Sequence, residues 1–392
     1  MRVVNFNDAE YAARVMRVKQ RMQGAGIEVL VVTEPNNIYY LCGYDAWSFY
    51  TPQALVVFLD KERPVMILRR VDKQSVYVTT TLPDENIIAY PDTYVQTPNR
   101  HPSQYMAQII LREAPNLKTI GVEMGAYYYT ARDHAELVAS LPNVQFKDAE
   151  LLVNWVRFVK SEAEVAYMRQ AGQITDRMMA RAVELAAPGV RECDIAATIY
   201  HAAMTGTETF GGVPASSPPH MGFGDRVREP HPIFTERPIA PNSVANIEIS
   251  GSRLRYHAPI ARTIYFGKPP ETYRNLAAQV LEGIDASLDV VKPGALAEDV
   301  EMAWRKVMTR YGIEKENRLG YSIGIAYAPT WGERTASLRP GDKSLLEPGV
   351  AFHLMAGLWL EETGITITQS FVVTETGYEA LTSTPRELFV KD

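Results

Sequence analysis

Cysteine is scarce in this 392-residue chain. Cys42 and Cys193 are its only two cysteines, they lie far apart, and neither belongs to a Cys-x-x-Cys motif. This pattern excludes a framework of disulfides and a zinc site built on cysteines. It is typical of a protein that works in a reducing cytoplasm.

Long apolar runs are missing as well. No stretch approaches the roughly 18 consecutive apolar residues that a membrane-spanning helix needs. The opening segment, Met1-Arg-Val-Val-Asn-Phe-Asn-Asp, has no apolar run typical of a signal peptide. The formal net charge of -6 argues against nucleic acid or an anionic membrane as the main partner. We therefore expect a cytoplasmic protein that binds neither.

The length suggests two domains, each with a sizeable core. Helical apolar spacing covers residues 8–23, 104–113 and 131–141, and strand patterns cover residues 27–33, 54–59, 64–68, 87–90 and 119–123. The stretch Glu34-Pro35-Asn36-Asn37 predicts a turn after the first strand. We expect this α/β domain to span residues 1–155 and a second domain to span residues 156–392.

The second domain begins with the pattern of a long helix. Ser161 is a good N-cap residue, and Glu164 occupies the capping-box position three residues later. Further on, Pro188–Asp194 is echoed by Pro293–Asp299, and in both segments one helix pattern ends at Pro-Gly and another follows. This weak internal repeat predicts duplicated helix pairs packed on a sheet.

Two segments resemble the metal-binding strand pair of the methionine aminopeptidase, prolidase and creatinase superfamily. They are Asn246–Gly251 and Tyr256–Thr263, in which Arg262 and Thr263 keep the places they have in the family. The resemblance implies a creatinase-like α/β domain followed by an α+β pita-bread domain, in which duplicated helix pairs flank a curved antiparallel sheet. It also implies a homodimer.

The metal ligands of this family are missing from the equivalent positions. Two Asp, one His and two Glu bind the metal in its metallopeptidases, whereas the resemblance places other residues there: Glu248, Pro259, Tyr321, Met355, and Thr368 or, with a slip of one residue, Gln369. One carboxylate does not hold a catalytic divalent ion. We therefore expect no metal site and no other cofactor.

A histidine and carboxylates are the candidate catalytic groups, because metal-free creatinase uses such groups to hydrolyse a C–N bond. The resemblance places that histidine at His231, and an imidazole can carry a proton from water to a leaving nitrogen at neutral pH. The alternative is an ordinary histidine in a surface loop. His220, His257 and His353 lie near the same motifs and are further candidates.

The candidate carboxylates are Glu248, Glu361 and Glu362. Glu248 can pair with a cationic group of the substrate or attack its electrophilic carbon. Alternatively, it is a buried carboxylate paired with Arg253, Arg255 or Arg262. Glu361 and Glu362 are equally compatible with a solvated turn.

Candidate substrate-binding residues complete the prediction. An anionic end of the substrate requires an arginine, for which Arg334 is the first choice and Arg69-Arg70 the second. By resemblance to family dimers, Trp47 and Phe49 reach the neighbouring subunit's pocket and stack on a flat cationic ring. The remaining members of the predicted binding set are Tyr321, His257 and Gln369.

Several longer segments resemble the bacterial ectoine hydrolases within this family, namely residues 43–50, 217–224, 255–263 and 320–341. The resemblance implies a small zwitterionic substrate and metal-independent opening of the cyclic amidine ring of ectoine to N-acetyl-2,4-diaminobutyrate. Gln369 stands where a carboxylate is expected, so three alternatives stay open. They are an amidinohydrolase acting on another guanidino or amidine acid, an Xaa-Pro peptidase, and a non-catalytic ligand-binding protein.

Overall fold

A computed structural model describes residues 2–391 of the chain. The chain divides into two compact units, one ending at Arg157 and the other beginning at Phe158. No helix in the described range combines the length and the apolar character required to cross a membrane.

The first unit is an α/β domain built on one mixed sheet. Its helices are α1 Asp8–Ala25, α2 Pro35–Cys42, α3 Lys73–Thr79, α4 Pro102–Glu113, α5 Ala131–Ser140 and α6 Leu152–Val156. Its strands are β1 Val29–Val32, β2 Ala54–Phe58, β3 Val65–Arg69, β4 Ile87–Tyr90, β5 Thr119–Val122 and β6 Gln145–Asp148. The strand order is β4-β3-β2-β1-β5-β6. The predicted helices and strands all occur, with boundaries shifted by a few residues.

The prediction of a turn at residues 34–37 is wrong, because α2 begins at Pro35. Proline fits the first turn of a helix, where its missing N–H is not needed. The helix is completely buried, and the Asn37 amide donates hydrogen bonds to Glu123 Oε1 at 2.6 Å and to Asn154 Oδ1 at 2.8 Å. These tertiary contacts satisfy polar side chains that in isolation favour a turn.

The second unit packs two pairs of helices against a curved, mainly antiparallel array of strands. The helices are α7 Glu162–Leu185, α8 Glu192–Thr205, α9 Glu271–Asp289 and α10 Ala297–Arg310. The strands are β7 His220–Phe223, β8 Ser243–Arg253, β9 Tyr256–Phe266, β10 Gly320–Ile323, β11 Gly332–Leu338, β12 Ala351–Leu354, β13 Gly357–Trp359, β14 Gly364–Thr366, β15 Gln369–Val373, β16 Tyr378–Ala380 and β17 Phe389–Lys391. They form sheets in the orders β17-β9-β8-β7 and β11-β10-β12-β15-β16, with the hairpin β13-β14 beside them.

The helix pairs α7–α8 and α9–α10 repeat the same local structure. Each Pro-Gly turn holds its glycine in the left-handed region, with φ of 88° at Gly189 and 85° at Gly294. Each turn is followed by an isolated β-bridge just before the next helix, formed by Arg191 in the first pair and by Leu296 in the second. The duplication predicted from the sequence is therefore present in the structure.

The two larger sheets of the second unit are joined at β9. The Ala261 N–H donates to Thr368 Oγ1 at 2.7 Å, and the Thr366 N–H donates to Thr263 Oγ1 at 2.8 Å. The fully buried guanidinium of Arg262 donates to four backbone carbonyls, those of Ala261, Thr368, Thr384 and Pro385. This junction holds the ends of several strands around one cavity.

Candidate active site

The second unit contains a cavity of about 1000 Å³. Residues from six segments of the unit line it: Ser217, His220, Pro230, His231, Glu248, Glu314, Lys315, Glu316, Asn317, Arg318, Tyr321, Pro329, Thr330, Trp331, Met355, Gly357, Leu358, Trp359 and Leu360. Of the predicted site residues, the cavity brings together His231, Glu248 and Tyr321.

Glu248 reaches the cavity because of strand alternation in β8. Its neighbours Ile247 and Ile249 belong to the core cluster beneath α7 and α8, so the side chain between them faces the opposite side. Glu248 is 6% exposed, and burial raises its pKa to about 8. The buried carboxyl is therefore mainly protonated at neutral pH when the cavity holds no cation.

No arginine contacts Glu248 in the described part of the chain. His353 Nδ1 lies 3.9 Å from Glu248 Oε1, and this contact is an ion pair only when the imidazole is protonated. Arg262 is occupied by backbone carbonyls, and Arg253 donates to Gln170 and to the Gly211 carbonyl. The alternative interpretation of Glu248 as the partner of one of these arginines does not match this geometry.

A chain of hydrogen-bonded side chains lies beside Glu248 and consists of Trp331, Tyr321, His353 and Thr368. Tyr321 and His353 are direct cross-strand neighbours on β10 and β12, and Tyr321 OH lies 3.0 Å from His353 Nδ1. The indole N–H of Trp331 donates to Tyr321 OH at 2.7 Å, and His353 Nε2 lies 2.8 Å from Thr368 Oγ1. Burial lowers the pKa of His353 to about 3, so this imidazole is neutral.

Two further histidines lie at the cavity wall. The rings of His220 and His231 meet edge to face with centroids 5.2 Å apart, and His220 Nε2 lies 3.1 Å from Ser217 Oγ. Burial, followed by the proximity of His231, lowers the pKa of His220 to about 4. His231 is exposed, so it is the histidine of this pair that can exchange protons with water.

The cationic side of the cavity consists of Lys315 and Arg318, which sequence reasoning missed. Lys315 Nζ donates to the Gly357 carbonyl at 2.6 Å and lies 5.1 Å from the Trp359 ring centroid. Burial lowers the pKa of Lys315 to about 7. Arg318 lies 4.7 Å from the Tyr321 ring centroid. The charged run at residues 314–318, just before the Tyr321 motif, was the signal that could have revealed them.

Several predicted residues of the second unit lie outside the cavity lining. Glu361 and Glu362 are exposed in the turn between β13 and β14, which agrees with a solvated turn. His257 is buried, accepts from the Ser216 N–H at Nε2 and lies 2.8 Å from the Arg255 carbonyl at Nδ1. These partners hold His257 in the core, and it is absent from the cavity lining.

Gln369 and Arg334 are likewise missing from the residues that line the cavity. The Gln369 amide donates to Thr382 Oγ1 at 2.9 Å and to the Ser370 carbonyl at 3.0 Å. Thr368, its neighbour, is the residue whose side chain contacts His353. Arg334 lies on β11 with a φ of 65° and is absent from the cavity lining.

The predicted aromatic pair lies in the first unit. The rings of Trp47 and Phe49 are 4.8 Å apart, and Phe49 packs 4.7 Å from Tyr128. Phe49 is buried, whereas Trp47 is 57% exposed. Arg69, the second choice for an anion site, pairs with Asp92 at 2.7 Å. That Trp47 and Phe49 enter a neighbouring subunit's pocket stays a prediction.

Comparison with known proteins assigns both units. Residues 14–159 match the Creatinase/Prolidase N-terminal domain, and residues 166–375 match metallopeptidase family M24. The chain belongs to family M24. The predicted creatinase-like and pita-bread domains are confirmed, and the protein is a hydrolase.

Relatives within the family include a bacterial ectoine hydrolase. The chain is 41% identical over 393 residues to the ectoine hydrolase of Halomonas elongata, with 98% of each chain covered. It is 70% identical to the uncharacterized hydrolase/peptidase y4tM of Sinorhizobium fredii, with 100% of each covered. Among solved structures, dipeptidase PepE from Mycobacterium ulcerans has a TM-score of 0.81 at 26% identity and covers 98% of this chain and 99% of its own.

The cavity of this M24 protein does not fit the family's metal. By resemblance, the five equivalent positions carry Glu248, Pro259, Tyr321, Met355, and Thr368 or Gln369, which together offer a single carboxylate and no histidine. Divalent metals of hydrolases are held by several carboxylate and imidazole ligands. Among residues 2–391, no group of three or more His, Cys, Asp and Glu side chains could hold a metal ion.

Proposed function

We propose that the protein is a metal-independent hydrolase that opens the cyclic amidine ring of ectoine to N-acetyl-2,4-diaminobutyrate. The observation that carries this proposal is the polarity of the cavity. Glu248 and His231 line it together with Lys315 and Arg318, and Glu314 and Glu316 also belong to the lining, so acidic and cationic residues share one space. A zwitterion with an amidinium at one end and a carboxylate at the other complements such a space. Identity of 41% to an ectoine hydrolase supports the same substrate.

The reaction adds water to the amidine carbon and breaks one of its two C–N bonds. The oxygen of water becomes the amide oxygen of the product, and the leaving ring nitrogen takes up a proton, so no oxidant or reductant is needed. His231 accepts the proton of water and returns it to the leaving nitrogen.

Glu248 acts on the cationic amidine in its ionised form. A cation bound next to a buried carboxyl favours the carboxylate and lowers its pKa again, so binding of the amidinium drives the proton off Glu248. The carboxylate then holds the amidinium through charge-assisted hydrogen bonds, or attacks its carbon to form a covalent intermediate that water releases.

Proton NMR of EDTA-treated protein with ectoine tests the proposal. Loss of the ring-methyl signal and growth of an acetyl signal over hours is the expected result. An unchanged ectoine spectrum, together with turnover of a guanidino acid in the same cavity, would assign the protein to the amidinohydrolases. Cleavage of Xaa-Pro dipeptides that requires added metal would overturn the metal-free chemistry.

Lys315→Met is expected to raise KM for ectoine by about tenfold to a hundredfold, while kcat changes little. The reason is that a charge-assisted hydrogen bond to the substrate carboxylate, worth about 1.5–3 kcal/mol, is lost from a buried site. Steady-state kinetics of this variant would be compared with those of Lys306→Met, a change of an exposed lysine on α10. An equal KM for Lys315→Met and the parent would show that the carboxylate of the substrate does not bind to Lys315.

A further inference from the structure

Thr368 is a fully buried hydroxyl with two hydrogen-bond neighbours. Its Oγ1 accepts the Ala261 N–H at 2.7 Å and lies 2.8 Å from His353 Nε2. By resemblance, it occupies a position where M24 metallopeptidases have a metal-binding glutamate. The question is what a threonine does in that place.

Among residues 2–391, the hydrogen of the Thr368 hydroxyl has one available acceptor. The Ala261 amide is a donor, so the hydroxyl can donate only to His353 Nε2. If Nε2 instead carried the imidazole proton, the hydroxyl hydrogen would be buried without an acceptor, which folded proteins avoid. Thr368 therefore requires Nε2 of His353 to be the unprotonated nitrogen.

The imidazole proton then lies on Nδ1, because a neutral imidazole carries one N–H. His353 Nδ1 donates to the oxygen of Tyr321 at 3.0 Å, and the Trp331 indole donates to the same oxygen at 2.7 Å. With two donors on its oxygen, the phenol must direct its own hydrogen elsewhere. Tyr321 is partly exposed and lines the cavity beside Glu248.

We propose that Thr368 sets the tautomer of His353 and thereby presents the Tyr321 O–H to the cavity as a hydrogen-bond donor. Thr368 and His353 are positioning residues, and Tyr321 is the group that contacts the reacting atoms. The donor contacts the oxygen that water adds to the amidine carbon, a role that rests on the proposed function. The direction of the hydrogen bonds from Thr368 through His353 to Tyr321 does not depend on which substrate is turned over.

The tautomer is measured by long-range proton–nitrogen NMR of protein labelled with ¹⁵N-histidine, without substrate. The signals of His353 are assigned by their loss in His353→Asn. The expected result is the Nδ1–H form in the parent and in Thr368→Ser, and loss of this form in Thr368→Val. The Nε2–H form in the parent overturns the proposal, and this decides the matter even if Thr368→Val fails to fold.

Kinetics give the second measurement. Tyr321→Phe and Thr368→Val are expected to lower kcat by about tenfold to a hundredfold with a smaller change in KM, because a donor to the reacting oxygen is lost or misdirected. Thr368→Ser keeps the hydroxyl and should restore kcat. Equal losses in the Ser and Val variants would show that Thr368 serves packing alone and would overturn its positioning role. Absence of turnover in the parent, with the Nδ1–H form present, would contradict the proposed function but not the tautomer.

Discussion

Glu248→Gln is expected to lower kcat/KM for a cyclic amidine by about a thousandfold or more. The substituted amide keeps the size of the side chain, yet it can neither carry the negative charge that holds an amidinium nor attack its carbon. Glu248 is buried, whereas the other two carboxylates of the cavity lining, Glu314 and Glu316, are exposed, so neither is positioned in the same way. Steady-state kinetics measure the effect.

The matched control is Glu375→Gln, which changes an exposed glutamate in the turn after β15. Parent-like activity is expected for this control. If Glu248→Gln retained activity within about tenfold of the parent, Glu248 would be neither counter-ion nor nucleophile, and the proposed chemistry would have to be abandoned.

The pH dependence of kcat/KM and of stability gives a second test of Glu248. Because ionised Glu248 is required and its pKa in the ligand-free protein is about 8, kcat/KM of Lys315→Met should rise with pH and level off above about 8. In the parent, the loss of the Lys315 charge above about pH 7 opposes this rise. The stability of the ligand-free protein should change in the opposite direction. A pKa raised on folding from 4.5 to about 8 gives stability that is complete below pH 4.5 and lost as pH rises through about 8.

The difference in unfolding free energy between parent and Glu248→Gln isolates this contribution. Lys315 has the opposite sign, because its pKa is lowered on folding and its stability contribution grows as pH rises above about 7. Since Lys315 is present in both proteins, its contribution cancels in the difference. A difference that stays constant between about pH 5 and 9 would contradict the raised pKa of Glu248.

His231→Gln is expected to lower kcat by about a hundredfold to ten-thousandfold, the usual range for loss of a general acid–base. His231 is exposed at the cavity, whereas burial holds the neighbouring His220 neutral with a pKa of about 4. His231 is therefore the histidine of the pair that is open to water. Single-turnover kinetics with ectoine measure the chemical step.

His201→Gln provides the control, because His201 is exposed on α8 and outside the cavity lining. Its activity should match that of the parent. Full activity of His231→Gln, with a large loss in His220→Gln, would transfer the proton-carrying role to His220.

Local patterns accounted for most of the fold. The capping box at Ser161 and Glu164 occurs at the start of α7, and the Pro-Gly repeat marks two equivalent helix pairs. These features depend on neighbours within a few residues, and the physics of helix ends acts over the same range. The first unit shows the limit of such patterns, since the predicted turn at residues 34–37 became a buried helix through contacts with distant residues such as Glu123.

The sequence by itself determined the family, the two kinds of domain, the loss of the metal ligands, and Glu248, His231 and Tyr321 as candidates. Only the tertiary structure decided which other side chains share their cavity. Lys315 and Arg318 entered it, whereas Glu361, Glu362, Arg334, His257 and Gln369 did not. The physical reason is that strand alternation and pairing set the direction of each side chain. A shift of one residue, as between Thr368 and Gln369, moves a group to the opposite face of the sheet.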